Sequence, residues 1–316
     1  MFNHLITIIL FTISSFVFAA DRSIQEQLVS QGYIELPLYH ASKQNTLIVK
    51  FSTINAKKYS FIIDTGATFT TLDTKVEKDL NLQEQKINLI MGGGDANRHR
   101  APQVIIPTFK SGRFKSKNEI AYVMDKSFIK IDNNPIAGFI GLDFLSNHAA
   151  VLDIANDRLY LKINSDKSTK STTEKYEEAL ISAGYKKISL KYSPSKHRLL
   201  KVSVNDAKPA NFMLDSGMPQ TTMSIEYAKS LNLKLLGQSI AAKGSGGGKM
   251  EMFKTHITRL FIDPVAWTPH EMEAMNFKYV QIGTPIFGVI GLDWMQANHA
   301  VIDLTSDILY VKSTCK

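Results

Sequence analysis

The sequence predicts a mainly β protein with a few short helices. Its two halves fold as similar lobes packed about a pseudo-twofold axis. Three observations carry this expectation. Segments recur in order at a near-constant separation of 150–152 residues. Most apolar runs are short and bounded by turn residues, as strands are. Each half also drives an apolar strand onto an acidic triplet, Asp64-Thr65-Gly66 in the first and Asp215-Ser216-Gly217 in the second.

The repeat can be followed along the whole chain. "LVSQGY" at Leu28–Tyr33 returns as "LISAGY" at Leu180–Tyr185, and "FIIDTGA" at Phe61–Ala67 as "FMLDSGM" at Phe212–Met218. "NPIAGFIGLDFL" from Asn134 returns as "TPIFGVIGLDWM" from Thr284, and "LDIANDRLYLK" from Leu152 as "IDLTSDILYVK" from Ile302. Such ordered self-similarity is the mark of a duplicated unit. The polar, aperiodic stretch from Asn164 to Thr172 reads as the joint. The expected division is a leader at 1–19, an N-terminal lobe at 20–163, a linker at 164–172 and a C-terminal lobe at 173–316.

Within each lobe the elements follow from local pattern. Asn45–Thr53 and Leu199–Val204 read as strands, as do Tyr59–Ile63 and Asn211–Leu214, which end on the two aspartates. Phe144–His148 and Trp294–His299 read as short helices after each Gly-Leu-Asp. Val151–Ile154 with Leu159–Ile163, and Val301–Leu304 with Ile308–Lys312, read as closing hairpins. Ser23–Gln31 and Glu174–Ala183 are helical lead-ins, each followed by a glycine, and Ile225–Leu231 is a further helix.

The chain has 316 residues, 44% of them hydrophobic, enough for two lobes with real cores. The formal net charge of +8 is spread in short basic stretches, which fits a solvated surface rather than a nucleic-acid site. Leu5–Phe18 is apolar but too short for a comfortable membrane span, and Val17-Phe18-Ala19 suits cleavage after Ala19. These features predict a signal peptide and an exported, periplasmic or secreted bacterial protein with no membrane span in the mature chain. The single cysteine, Cys315, excludes an intrachain disulfide.

A carboxylate at the end of an apolar strand is costly unless it is paired or used. A pseudo-twofold offers the partner. If Asp64 and Asp215 lie near the axis, their carboxyl groups meet and share one proton. The ionised member can then take a proton from water while the protonated member donates to a carbonyl oxygen. Thr65 and Ser216 carry hydroxyls able to bond across the axis, and Gly66 and Gly217 permit a tight backbone that turns N–H groups to the carboxylates. A lone Asp-Thr-Gly is usually just a turn, whereas two at the repeat separation are a specific signal.

These motifs resemble those of the retropepsin- and pepsin-like aspartic proteases, over nearly the whole chain beyond the leader and one family unit per half. The resemblance implies an aspartic endopeptidase acting on peptide or protein substrates without metal or cofactor. Because one chain supplies both aspartates, it also implies a monomer. Ile140-Gly141 and Ile290-Gly291 would brace the active-site loops, together with Thr65, Gly66, Ala67, Ser216 and Gly217. Flap hairpins would fall at Ile90–Arg100 and Ala241–Met252, with Gly92, Gly93, Gly94, Gly244, Gly246, Gly247 and Gly248 lending mobility. Ala67 fits the retroviral pattern. Met218-Pro219 departs from it and is expected to crowd or stiffen the second loop. That departure feeds the alternative, a peptide-binding or scaffolding protein that keeps the fold without turnover.

Other motifs have simpler readings. "GSGGGK" at Gly244–Lys249 fails the phosphate-loop pattern at Lys243 and Met250 and reads as a hairpin tip. Asp143 and Asp293 read as helix N-caps. His148 and His299 each follow an asparagine and look equivalent, but their spacing fits no metal template. Asp153 and Asp303 are expected to bond within their hairpins. Trp267, Met272, Met275, Phe277 and Tyr279, where the repeats diverge, read as core or flap support.

Overall fold

The computed structural model describes residues 24–52, 57–92, 98–127, 129–163, 170–243, 249–277, 280 and 282–312. The leader, residues 164–169 of the expected linker, Gly93, Gly94, Gly244, Gly246, Gly247, Gly248, Tyr279 and Cys315 lie outside them.

Each lobe is built on its own large sheet. In the N-terminal lobe the strand order is Tyr39–Ala41, Thr46–Ser52, Lys58–Ile63, Gly138–Ile140, Thr71–Asp73, Phe114–Met124, Arg98–Ser111 and Glu84–Gly92. The C-terminal lobe repeats the central part of this order with Arg198–Val204, Ala210–Leu214, Gly288–Ile290 and Thr222–Ser224. In both, the strand leading to the aspartate runs parallel to the Gly-Phe-Ile or Gly-Val-Ile strand. That strand in turn runs antiparallel to the one after the aspartate loop. The aspartate loop is thus clamped between three strands of one sheet.

The period of two along these strands divides their side chains between two environments. Phe61 and Ile63 enter the main core, where Phe61 meets Phe51 and Phe109 edge-on at 5.9 and 5.5 Å. Ile62, on the opposite face, joins Ile48, Ile136 and Phe139 in a separate apolar cluster. The C-terminal lobe does the same: Phe212 and Leu214 go to the main core, and Met213 joins Leu199, Met275, Phe277 and Val289. Asp64 and Asp215, two residues beyond Ile62 and Met213, project on the side of these smaller clusters.

A third sheet joins the lobes. Its six strands run Ile34–Pro37, Arg158–Leu161, Val151–Asp153, Val301–Asp303, Ile308–Val311 and Lys186–Ser189. At its centre Leu152 pairs with its own repeat, Ile302, so the pseudo-twofold passes between them. The helix at 24–30 and the helix Lys170–Ser182 cover this sheet, burying Ile24, Leu28, Tyr176 and Leu180 against Val151, Tyr160, Val301 and Tyr310.

Several sequence expectations are sharpened. Asp153 and Asp303 do bond within their hairpins: the first accepts the N–H of Asn156, the second those of Thr305 and Ser306. The helices after Gly-Leu-Asp are Leu142–Asn147 and Leu292–Ala297, starting two residues earlier than expected. Asp143 and Asp293 are therefore inside the first turn and are not N-caps, a position held by Gly141 and Gly291. A helix at Thr74–Asp79, not anticipated, is capped by the Asp73 carboxylate accepting the N–H of Lys75. It matches Ile225–Ser230, which Ser224 caps in the same way. His148 and His299 are not equivalent. His148 ends its helix where Asn298 ends the other, and it bonds Glu119 at 2.8 Å and the carbonyl of Lys162 at 2.9 Å. Met272 is core, Met275 and Phe277 line the cluster around Met213, and Trp267 packs against the main core.

Candidate active site

The two acidic triplets meet across the lobe interface. Each aspartate N–H is fixed by the neighbouring strand, Asp64 by the carbonyl of Ile140 and Asp215 by that of Ile290, both at 3.0 Å. Gly66 donates its N–H to Asp64 Oδ1 at 2.9 Å, and Gly217 donates to Asp215 Oδ1 at 2.8 Å. Each glycine also faces the opposite aspartate. A Cβ on Gly66 would lie 2.2 Å from Asp215 Oδ2, and one on Gly217 would lie 2.6 Å from Asp64 Cγ. Only glycine lets the loops approach this closely, and the two carboxyl groups are hydrogen-bonded to each other.

Thr65 and Ser216 cross-link the loops as their sequence position suggests. The Thr65 hydroxyl donates to the carbonyl of Leu214 at 3.0 Å and accepts the N–H of Ser216 at 2.9 Å. The Ser216 hydroxyl donates to the carbonyl of Ile63 at 2.8 Å and accepts the N–H of Thr65 at 3.1 Å. All four bonds are buried, where an unmade bond is costly.

Further along each loop, Thr70 and Thr221 connect to the following helix. Asp143 Oδ1 accepts the N–H and hydroxyl of Thr70 at 2.8 and 2.7 Å, and Asp293 Oδ1 those of Thr221 at 2.8 and 2.6 Å. The threonine hydroxyls then accept the N–H of Gly141 and Gly291. This is how the two Ile-Gly pairs brace the loops. It also explains the aspartates misread as caps, whose main partners lie about seventy residues away in sequence.

Met218 does not distort its loop. Its N–H bonds the carbonyl of Asp215 at 3.2 Å and its carbonyl accepts the N–H of Leu292 at 2.9 Å. Ala67 makes the same two bonds, to Asp64 and Leu142, at 3.3 and 2.8 Å. The Met218 side chain packs with Met252 against the cluster around Met213. The loop keeps the same backbone bonds as its repeat because the side chain has an apolar cluster to pack against.

The dyad is asymmetric. Burial raises the Asp64 pKa, while the hydrogen bond from Asp215, the N–H of Gly66, the Lys126 cation and the N–H of Ala67 oppose the rise. Asp215 is raised well above the ordinary value by burial, by the charge of Asp64 and by its hydrogen bond to Asp64, against the N–H groups of Gly217 and Gly66. Burial raises both groups, so the pair titrates as one unit, and the Lys126 cation bears on its Asp64 side.

Three contributors carry no repeat signature. Lys126 is buried, with Nζ 4.8 Å from the Phe139 ring centre. Asn45 donates from the N-terminal lobe to the carbonyl of Pro219 at 2.7 Å. His197 reaches from the C-terminal lobe to the carbonyl of Gly66, with Nε2 at 2.9 Å. None has a sequence neighbour that marks it, so only the tertiary geometry reveals them, across the lobes for Asn45 and His197 and within the N-terminal lobe for Lys126.

Both candidate flaps have hairpin strands. Ile90, Met91 and Gly92 pair with Arg100, His99 and Arg98, and Ala241, Ala242 and Lys243 pair with Glu251, Met250 and Lys249. Leu89 and Met91 pack with Phe69 and Tyr122, joining the first hairpin to the Asp64 loop. Among the described residues, no group of three or more His, Cys, Asp or Glu is arranged to hold a metal ion.

No curated protein matches the sequence. Among solved structures, the chain is similar to an aspartic proteinase from Irpex lacteus, at 12% identity over 89% of this chain and 97% of that one, with a TM-score of 0.49. It is similar to conglutin gamma, a basic 7S globulin from lupine seeds, at 10% identity over 90% and 95%, with a TM-score of 0.48. Basic 7S globulin from soybean gives 8% identity over 89% and 95%, also with a TM-score of 0.48. The aspartyl protease family model matches residues 52–144 and 200–294, one span around each aspartate. Those two spans cover more than half of the sequence, and the chain belongs to the aspartyl protease family.

Proposed function

We propose that the protein is an exported aspartic endopeptidase, active as a monomer, in which Asp64 and Asp215 act as one catalytic unit. The observation that carries this reading is the meeting of the two carboxyl groups, each held by the glycine N–H of its own loop and hydrogen-bonded to the other. The ionised Asp64 serves as general base, taking a proton from the attacking water. Asp215 donates its proton to the carbonyl oxygen of the scissile amide, so the tetrahedral intermediate forms without a charged oxygen. The proton gained by Asp64 then passes to the leaving nitrogen as the C–N bond breaks. Asp215 meanwhile takes back a hydroxyl proton of the intermediate, which leaves a carboxylic acid and an amine and restores the dyad. The Lys126 cation on the Asp64 side supports this assignment of roles.

A peptide is the substrate class that fits. Two apolar clusters lie on the aspartate side of the central strands, one around Ile62 and Phe139, the other around Met213 and Phe277. The binding-only alternative drew on Met218, and the undistorted second loop weakens it. Among the described residues no helix is long and apolar enough to cross a membrane.

The test is digestion of a peptide library by the purified protein across acid to neutral pH, with Asp64→Asn as control. Cleavage by the parent that disappears in the control supports the reading. Absence of cleavage at every pH, or equal cleavage by both proteins, overturns it.

A further inference from the structure

We propose that His197 is a positioning residue for this reaction: reaching from the opposite lobe, its ring holds the Gly66 carbonyl and so steadies the residue whose N–H holds Asp64. The inference rests on the dyad reading above and adds a residue to it.

The geometry is cross-lobe and fully built. His197 sits at the start of the strand Arg198–Val204 and is only 4% exposed. Its backbone is tied to Ser193, whose hydroxyl accepts the His197 N–H at 3.2 Å and whose N–H donates to the His197 carbonyl at 2.9 Å. Nε2 lies 2.9 Å from the Gly66 carbonyl and 3.4 Å from Thr68 Oγ1. A carbonyl has no hydrogen to give, so Nε2 must carry one. On the far side, Nδ1 lies 2.9 Å from Ser195 Oγ, which is itself 2.9 Å from the carbonyl of Ile282.

The bond acts on the most constrained residue of the site. Gly66 turns its carbonyl to His197 and its N–H to Asp64 Oδ1, while its Cα abuts the Asp215 carboxyl. Releasing the carbonyl lets the loop tilt, and a tilt moves the donor on Asp64. The second loop is held by other means, with Asn45 Nδ2 on the carbonyl of Pro219. Of these two cross-lobe bonds to loop carbonyls, the one on the Asp64 loop comes from a group that can titrate and the one on the second loop does not.

The hydrogen bonds allow both charge states of the ring. In the neutral ring Nε2–H faces Gly66, and Ser195 gives its hydroxyl hydrogen to Nδ1. In the charged ring Nδ1–H donates to Ser195, which turns its hydrogen to Ile282. Ile282 belongs to the cluster around Met213, so the ring connects the dyad loop to the apolar wall beside it. The charge that bears on the ring is that of Arg198, next in the chain, and the Asp64–Asp215 pair lies beyond Gly66. Arg198 turns its guanidinium to Asp307 at 2.8 Å and to the carbonyl of Leu304. Burial lowers the His197 pKa, the Gly66 carbonyl opposes the fall, and Arg198 adds to it.

Two variants of the full chain test the proposal. His197→Gln keeps an N–H donor at the reach of Nε2 and cannot titrate; His197→Leu fills the site and cannot donate. On a library peptide that the parent cleaves, His197→Leu is expected to lose kcat by the order of 10²-fold with a much smaller change in KM, as for a misplaced reacting group. His197→Gln should recover most of that loss. The second readout needs no turnover: the Gly66 amide resonance, followed by NMR in glycine-labelled protein as pH is varied. It should move, together with its dyad titration, in His197→Leu and return in His197→Gln. A folded His197→Leu with parental kcat and an unchanged Gly66 titration overturns the proposal. So does His197→Gln behaving like His197→Leu. If His197→Leu does not fold, a parental kcat and Gly66 titration in His197→Gln support the proposal, and a loss in both overturns it. A parent that cleaves nothing, yet shows the Gly66 response, keeps the latch and rejects the peptidase reading instead.

Discussion

Thr65 and Ser216 exchange hydrogen bonds across the lobe interface, each hydroxyl accepting the other's backbone N–H, at 2.9 and 3.1 Å. Each hydroxyl also donates to the carbonyl of the strand leading to the other's aspartate. Ser216→Ala and Thr65→Val should therefore each cost about 2–4 kcal/mol, because each strands a buried N–H and a buried carbonyl. The double variant should cost less than the sum, since the two residues serve one network. Thr65→Ser keeps the hydroxyl and should stay close to the parent. Chemical denaturation measures all four, and strictly additive small losses would show that the network contributes little.

The pH profile of cleavage should be a bell displaced from that of a strongly acid enzyme. The active form has Asp64 ionised and Asp215 protonated, and burial raises both groups above the ordinary 3.8. The optimum should fall in mildly acid to near-neutral solution. Lys126→Met removes a cation that favours the charged Asp64, so the acid limb should move up. Ala67→Ser adds a hydroxyl beside the Asp64 loop and should move it down. Kinetics across pH check both signs, and an optimum below the ordinary aspartate value would show that other groups set the ionisation.

Stability should respond to Asp215 in the opposite direction from an ordinary salt-bridged carboxylate. Its folded pKa is well above its unfolded one. Between the two values the native state holds a proton that the unfolded chain has lost, so stability falls as pH rises through that window. Asp215→Asn does not carry this penalty. Its melting temperature should equal that of the parent in acid below the ordinary aspartate pKa and exceed it increasingly toward neutral pH. A gap that does not change with pH would refute the argument.

The protein should sediment as a monomer and keep its activity per mole on dilution, because both aspartates come from one chain. Sedimentation velocity together with a dilution series checks this. An obligate dimer with activity that falls on dilution would contradict it.

What could be read from the sequence is what the duplication wrote twice. The pairing of Asp64 with Asp215, the Thr65–Ser216 exchange and the Ile-Gly braces all occupy repeated positions, so one half vouches for the other. Local rules failed where a partner is distant. Asp143 stands near a helix start, which suggested a cap, but its partner Thr70 lies 73 residues away. The apparent His148–His299 match arose from a one-residue drift in the repeat, which placed Asn298 opposite His148. His197, Asn45 and Lys126 stood outside every motif, because each acts from a site where the halves differ.

The central pair of the joining sheet, Leu152 against Ile302, has a meaning for the history of the molecule. Three strands from each half build that sheet, as two identical subunits would build it. The covalent tie replaces an encounter between subunits with an effective concentration in the millimolar range for a short tether. Once assembly no longer depended on self-recognition, neither half had to complement a copy of itself. One could recruit an imidazole to steady its neighbour's loop while the other settled for an amide. Fusion thus converted a symmetric partnership into a division of labour.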